Sequence, residues 1–206
     1  MTEQGDHAEA HPVRIEPLPL EDWDEEVWAA MSVLPAEMRP KPGELINSLG
    51  VYAHHPPLGA AALAFMQYFR FHSTMSDRTR ELLIIRTTWM RGGVYEYTRH
   101  ARIARRVGIT DEELVRITQG SDAPGWEPAE AVLLRTVEDL IRDFRVSDAT
   151  WEVLNQHYSL QEIMDILFVV GAYEMQAMIF NTIGVEPEAD LLPYPTGEPS
   201  DESATS

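Results

Sequence analysis

Glu96 and His100 stand four residues apart in the stretch Val94-Tyr95-Glu96-Tyr97-Thr98-Arg99-His100-Ala101-Arg102-Ile103-Ala104. On a helix that spacing puts a carboxyl and an imidazole on one face, one above the other. The face continues through Ile103, Ala104 and Val107, whereas Arg99, Arg102 and Arg106 occupy the opposite side. Both groups therefore point inward, where burial raises a carboxyl pKa and tunes the pair for proton transfer. Glu81 is a third candidate. It shares its side of the preceding helix with Ile84, Ile85 and Thr88, and the short Gly92-Gly93 link makes the two helices antiparallel neighbours. Glu81 then meets Glu96 and His100 across their interface. Two blander readings use the same residue types. One is a buried, hydrogen-bonded pair with no chemistry. The other is a divalent metal site, which lacks a second inward histidine.

The chain contains no cysteine, so thiol nucleophiles, thiolate metal sites and disulfides are excluded together. Arg78 to Arg106 holds eight arginines against only Glu81 and Glu96. That excess favours a small anionic substrate, although arginines on helices are commonly solvated or paired with carboxylates. Arg86, and Arg78 near a helix start, are the candidates for holding the anion. Tyr95 turns about 100° away from Glu96 and reads first as packing; it joins the arginines as a candidate substrate-binding residue. Trp89 and Tyr97 read as core or interface. His54 and His55 read as loop or capping residues.

These groups need helices to position them, and the stops between helices are legible. Pro56 and Pro57 suit the first turn of a helix running to about His72. Ser76 caps the next, which ends at Gly92 and Gly93, and a further helix runs from about Val94 to Val107. Thr110 with Glu113, and Ser159 with Glu162, are capping boxes for helices reaching about Gln119 and about residue 184. Pro128 opens a helix to Phe144, and Ser147 caps a segment through His157. No stretch alternates apolar and polar residues with β-branched enrichment, so the fold class is all-α. A short internal echo sets Gly-Val-Tyr95-Glu96 beside Gly-Ala-Tyr173-Glu174.

With 206 residues and 44% hydrophobic content, the chain fits one domain, taken as 27–185, flanked by acidic arms. Residues 1–26 hold nine acids and one base, and 186–206 hold six acids and no base. The arms thus carry most of the net charge of −18, and the body is only mildly acidic, which disfavours nucleic acid as a partner. The acidic start is unlike a signal peptide, and the apolar run Ile166 to Tyr173, between Asp165 and Glu174, is too short for a membrane span. The expectation is a cytoplasmic protein without a membrane partner.

Arg80-Glu81-Leu82-Leu83-Ile84-Ile85-Arg86, Tyr95-Glu96-Tyr97-Thr98-Arg99-His100-Ala101-Arg102-Ile103-Ala104, and Gly108 with Thr110-Asp111-Glu112-Glu113 resemble the carboxymuconolactone decarboxylase family. Its superfamily includes the alkylhydroperoxidase D-type (AhpD-like) proteins. The resemblance is specific over Leu58 to Gln119 and looser through Gly184. Against the hydroperoxidase pattern of Glu, Cys-x-x-Cys and His, Glu81 and His100 take the glutamate and histidine places. Gly93 and Glu96 stand where the cysteines would be. The resemblance implies an AhpD-like helical bundle, a homo-oligomer with a cofactor-free, metal-free site near a subunit contact. It further implies a lyase that decarboxylates a small unsaturated lactone with proton delivery to carbon. Isomerisation or lactone opening of a carboxylated substrate fits the same residues, and a catalytically inactive ligand-binding or interaction protein is the alternative.

Overall fold

The computed structural model describes residues 11–191, in which all regular structure is helical. The α-helices are α1 (Glu25–Met31), α2 (Asn47–Tyr52), α3 (Pro56–Phe71), α4 (Asp77–Met90), α5 (Val94–Arg106), α6 (Asp111–Gln119), α7 (Pro128–Asp143), α8 (Asp148–His157) and α9 (Leu160–Ile183). From α3 onward, each begins where a cap or proline in the sequence starts it, except α5, which follows Gly93 without a capping side chain. Ser76, Ser147 and Ser159 accept backbone N–H groups of the first turns, and both capping boxes close. His55 caps α3 through its side chain, and His54 Nε2 lies 2.8 Å from the Glu16 carbonyl. α7 ends at Phe144 in the left-handed conformation, and α9 ends at Gly184 with φ +79°.

α4 is the axis of the bundle and packs against α5, α6, α7 and α9. Arg80 through Thr88 are all buried, so it lacks the apolar-polar division of a surface helix. α5 returns antiparallel beside it after the Gly92-Gly93 turn, with Gly92 at φ +58°, where a side chain would be strained. Two apolar clusters result. The larger joins Phe69, Leu82 to Ile85, Leu133, Leu134, Ile163, Ile166 and Val169. The smaller joins Trp23, Val27, Met31, Leu49, Tyr52, Leu63, Tyr95 and Phe180. α5 runs along their seam, giving Tyr97, Ala101 and Ala104 to the first and Tyr95 to the second.

The structure adds three features. The described parts of both acidic arms pack on the body: Trp23 is buried and donates to the Leu18 carbonyl, Leu18 N–H donates to Gly50, and Arg14 N–H donates to Ile183. Glu188 and Asp190 pair with Arg99 and Arg102 of α5. Residues 1–10 and 192–206 of these arms lie outside the described residues. Second, α1 and α2 form in the proline-rich entry segment; α1 is capped by Asp24, but α2 has no capping side chain to announce it. Third, α9 is long and apolar enough to cross a membrane by length and composition. Its inner face, from Ile163 to Phe180, is instead buried in the core, as in the central helix of a globular bundle.

Candidate active site

Glu81, in the first half of α4, and His100, at the middle of α5, meet because the helices are antiparallel. His100 Nδ1 lies 2.7 Å from Glu81 Oε2. A carboxylate only accepts, so Nδ1 carries the hydrogen and Nε2 is left as the basic nitrogen. The other Glu81 oxygen accepts from Arg80 Nε at 3.1 Å. Arg80 also donates through Nη1 to Asp77 at 2.7 Å. Glu81 is 1% exposed and Arg80 6%, so the carboxyl group has two hydrogen-bond partners and almost no water.

Glu96, one turn before His100, sits 3.7 Å from Nε2. It is buried, and its side chain makes no hydrogen bond among the described residues. Burial pushes its carboxyl pKa up, against the lowering effects of His100 and Arg99. A buried carboxyl without a hydrogen bond is costly, and in a proton-transfer site it is also available.

α9 supplies a residue that the Glu-His spacing did not indicate. The Tyr173 hydroxyl lies 3.0 Å from His100 Nε2, with the rings edge to face at 4.9 Å. Burial holds the phenol protonated, its pKa well above the usual value. Hence Tyr173 donates to Nε2, completing the series Arg80, Glu81, His100, Tyr173. The echo Gly-x-Tyr-Glu sets Tyr173 beside Tyr95 in sequence, yet the two tyrosines do different things. One turn along α9, Gln176 accepts from the Tyr52 hydroxyl at 2.6 Å, and burial pushes the Tyr52 phenol up to about 12.

The expected substrate-binding residues lie elsewhere in the fold. Arg86 Nη2 donates to Glu138 at 2.8 Å, and Nη1 donates to the carbonyls of Ile117 and Thr118, each at 2.9 Å. It clamps the C-terminal end of α6 onto α7. Arg78 bridges Glu113 of the α6 capping box and Glu130 of α7, at 2.5 and 2.8 Å. The Tyr95 hydroxyl engages Ser48 and Glu188, and its ring packs edge-on against Phe180. These three hold framework contacts through most of their polar groups, and Arg86 Nε is buried without a hydrogen bond among the described residues. Much of the arginine excess on α4 and α5 is neutralised in the same way, with Arg91 on Glu174 and Arg105 on Asp111 as further cases. Trp89 and Tyr97 belong to or pack against the larger cluster, as expected.

No group of three or more potential metal ligands gathers among the described residues. Gly93, at the first of the two cysteine-equivalent places, lies so close to α9 that an added Cβ would stand 3.2 Å from Ala177 Cβ. That place is filled by the neighbouring helix.

Residues 56–139 match the carboxymuconolactone decarboxylase family, a span that includes Glu81, Glu96 and His100 and stops before Tyr173. The chain is 25% identical over 122 residues to the uncharacterized protein YdfG of Bacillus subtilis (strain 168), covering 58% of this chain and 83% of that protein. Among solved structures, it resembles an alkylhydroperoxidase AhpD core, an uncharacterized peroxidase-related protein from Ralstonia eutropha JMP134. The TM-score is 0.72 at 18% identity, covering 87% of this chain and 95% of that one. It also resembles the apo debrominase Bmp8, with TM-score 0.64 at 16% identity, covering 85% and 92%. At these identities the structural likenesses establish the fold.

Proposed function

We propose that this chain, which matches the carboxymuconolactone decarboxylase family over residues 56–139 and has the fold of an AhpD core, is a member of that superfamily without a thiol and an enzyme of cofactor-independent proton transfer. Its substrate is a small carboxylated carbonyl compound, such as an unsaturated lactone acid, and its reaction is decarboxylation, isomerisation or lactone opening. The observation that carries this reading is Glu96: a buried carboxyl with a raised pKa and no hydrogen bond of its own, beside an imidazole oriented by Glu81.

Nε2 of His100 is the base. It takes a proton from the carbon next to the carbonyl, and the Glu81 carboxylate stabilises the resulting imidazolium. The electron pair moves onto the carbonyl oxygen as an enolate, for which the Tyr173 hydroxyl is a neutral donor. Glu96, its charged form disfavoured by burial, returns a proton to carbon at the far end of the conjugated system. Where carbon dioxide leaves, the breaking carbon-carbon bond supplies the electron pair and only the Glu96 step is needed. A thiol peroxidase mechanism has no nucleophile here, since the chain lacks cysteine.

The test is Glu96→Gln, which keeps the shape and removes the transferable proton. Turnover of unsaturated lactone acids, followed by deuterium incorporation at carbon, is expected to fall by about 100-fold or more with the helical fold intact. Unchanged rates would remove Glu96 from the chemistry.

The proposed assembly is a homo-oligomer built on the outer face of α9. Leu160, Met164, Phe168, Met175 and Met178 are exposed there in a single helical stripe, and the stripe borders an apolar groove formed with Phe65 of α3. An apolar face of this length on a helix otherwise buried in the core supports burial against a second copy.

A further inference from the structure

Phe144 occupies the left-handed position after the last turn of α7, with φ +56° and ψ +18°, and among the described residues no other residue except glycine has a positive φ. Glycine or asparagine is favoured there, because a larger side chain is strained in that conformation. Phe144 gains little inside the chain in return, since it is 83% exposed. It borders a recess lined by Leu140, Val146, Trp151 and Leu167. Leu167 also borders the groove between α3 and α9, where Phe65, Phe168, Gly171 and Met175 surround an open volume of about 310 Å³. A cavity of roughly 150 Å³ is enough to hold a benzene ring, and a Cβ added at Gly171 would meet nothing within 4 Å. One face of the molecule therefore carries an aromatic knob and a hole that admits one, set to either side of Leu167. Among the described residues, the charged groups lining the two are Arg145 and Asp148, which pair with each other.

We propose that Phe144 seats in the groove between α3 and α9 of a second copy of this chain, with a two-fold axis passing near Leu167. The proposal rests on the reading of the outer face of α9 as an assembly surface, and it names the residue and the hole that hold the pair together. A two-fold contact needs a surface complementary to itself, so a knob must lie across the axis from its hole. Phe144 and the groove meet that condition, and the rotation that seats one ring seats the other. The area is also sufficient. The outward stripe of α9, with Phe65, Phe144 and Trp151, exposes about 900 Å² per copy, against the roughly 800 Å² per partner that a standard interface buries. An aromatic anchor filling a pocket within such a face is where binding energy concentrates. Burial of the ring in the partner then offsets the backbone strain that Phe144 carries in a single chain.

The experiment is sedimentation equilibrium of the full-length protein over a range of concentrations, on the wild type, Phe144→Gly, Gly171→Leu and the double variant. Phe144→Gly removes the ring and puts the favoured residue at the left-handed position. Gly171→Leu fills the groove from a position with free space. Both are expected to keep the fold, which helical content checks. Each single substitution is expected to raise the dissociation constant of the pair by about 30-fold, the scale of an interface anchor. The double variant is expected to be weaker than either single variant by no more than about threefold, because both substitutions remove the same contact. Single effects that multiply in the double variant, or either single variant associating as tightly as the wild type, overturn the seating of Phe144 and leave assembly through α9 standing. A wild-type protein that stays monomeric overturns both and gives this face to a partner of another kind.

Discussion

At the scale of single residues, what separates Glu81 from Glu96 is company. Both are buried glutamates facing one imidazole, but Glu81 has Arg80 and the His100 N–H, whereas Glu96 has neither. The first is held as an acceptor; the second has its charged form penalised by burial. This difference has a sign that can be measured. In the unfolded chain Glu96 titrates near its ordinary value of 4.5, and in the folded protein it titrates higher. Between the two values the native state binds more protons, so its contribution to stability is complete below the unfolded value. That contribution is lost as pH rises through the folded value. Denaturant unfolding of the wild-type protein and Glu96→Gln, from about pH 4.5 upward through neutrality, should show the wild type losing stability relative to the variant. A gap that does not change with pH would mean Glu96 is not held protonated by the fold.

At the scale of helices, the arginine-rich character of α4 and α5 reads differently once their neighbours are in place. Arg86 looked like an anion-binding residue because it belongs to the arginine excess between Arg78 and Arg106. It closes the C-terminal end of α6 instead, where its guanidinium satisfies two terminal carbonyls and pairs with Glu138. Gly120 completes the arrangement. Its φ is +101°, and an added Cβ would come within 2.8 Å of both Arg86 Nη2 and Glu138 Oε1. Arg86→Gln is therefore expected to cost roughly 3 to 5 kcal/mol of stability, because Glu138 is left as an uncompensated buried charge. Thermal unfolding measures that loss. Activity per folded molecule, measured well below the transition, should stay within about twofold of wild type. A large fall in kcat without loss of stability would return Arg86 to the site.

At the scale of the molecule, the C-terminal segment and α9 finish what the central helices begin. Glu188 accepts from Asn47 N–H, Tyr95 and Arg99, joining the start of α2 to α5 on the side of the helix behind Glu96. Its charge also opposes ionisation of Glu96, so a segment distant in sequence bears on the site. The outward stripe of α9 has the opposite character, apolar and unpartnered within the chain. Phe168→Glu places a charge in the middle of that stripe, where Phe168 is 53% exposed. The variant should fold normally as judged by helical content, while its mass by sedimentation falls relative to the wild-type assembly. A monomeric wild-type protein, or one whose mass is unchanged by the substitution, would remove this face from oligomerisation.

The sequence by itself determined the helices from α3 onward and the encounter of Glu81 with His100. Caps, prolines and helical spacing act within a few residues, and a two-glycine turn leaves its flanking helices little choice but to lie antiparallel. It also excluded thiol chemistry, since no fold supplies a missing cysteine. Only the tertiary structure decided which arginines were free, because an arginine's role depends on whether a carboxylate from another helix reaches it first. Glu113, Glu130 and Glu138 reach Arg78 and Arg86 from positions 35 or more residues away. Tyr173 was hidden for the same reason: it approaches His100 across 73 residues of chain, and no local pattern encodes that meeting. What began as a glutamate-histidine pair thus becomes a series from Arg80 through Tyr173, with Glu96 beside it as the carboxyl without a hydrogen bond among the described residues.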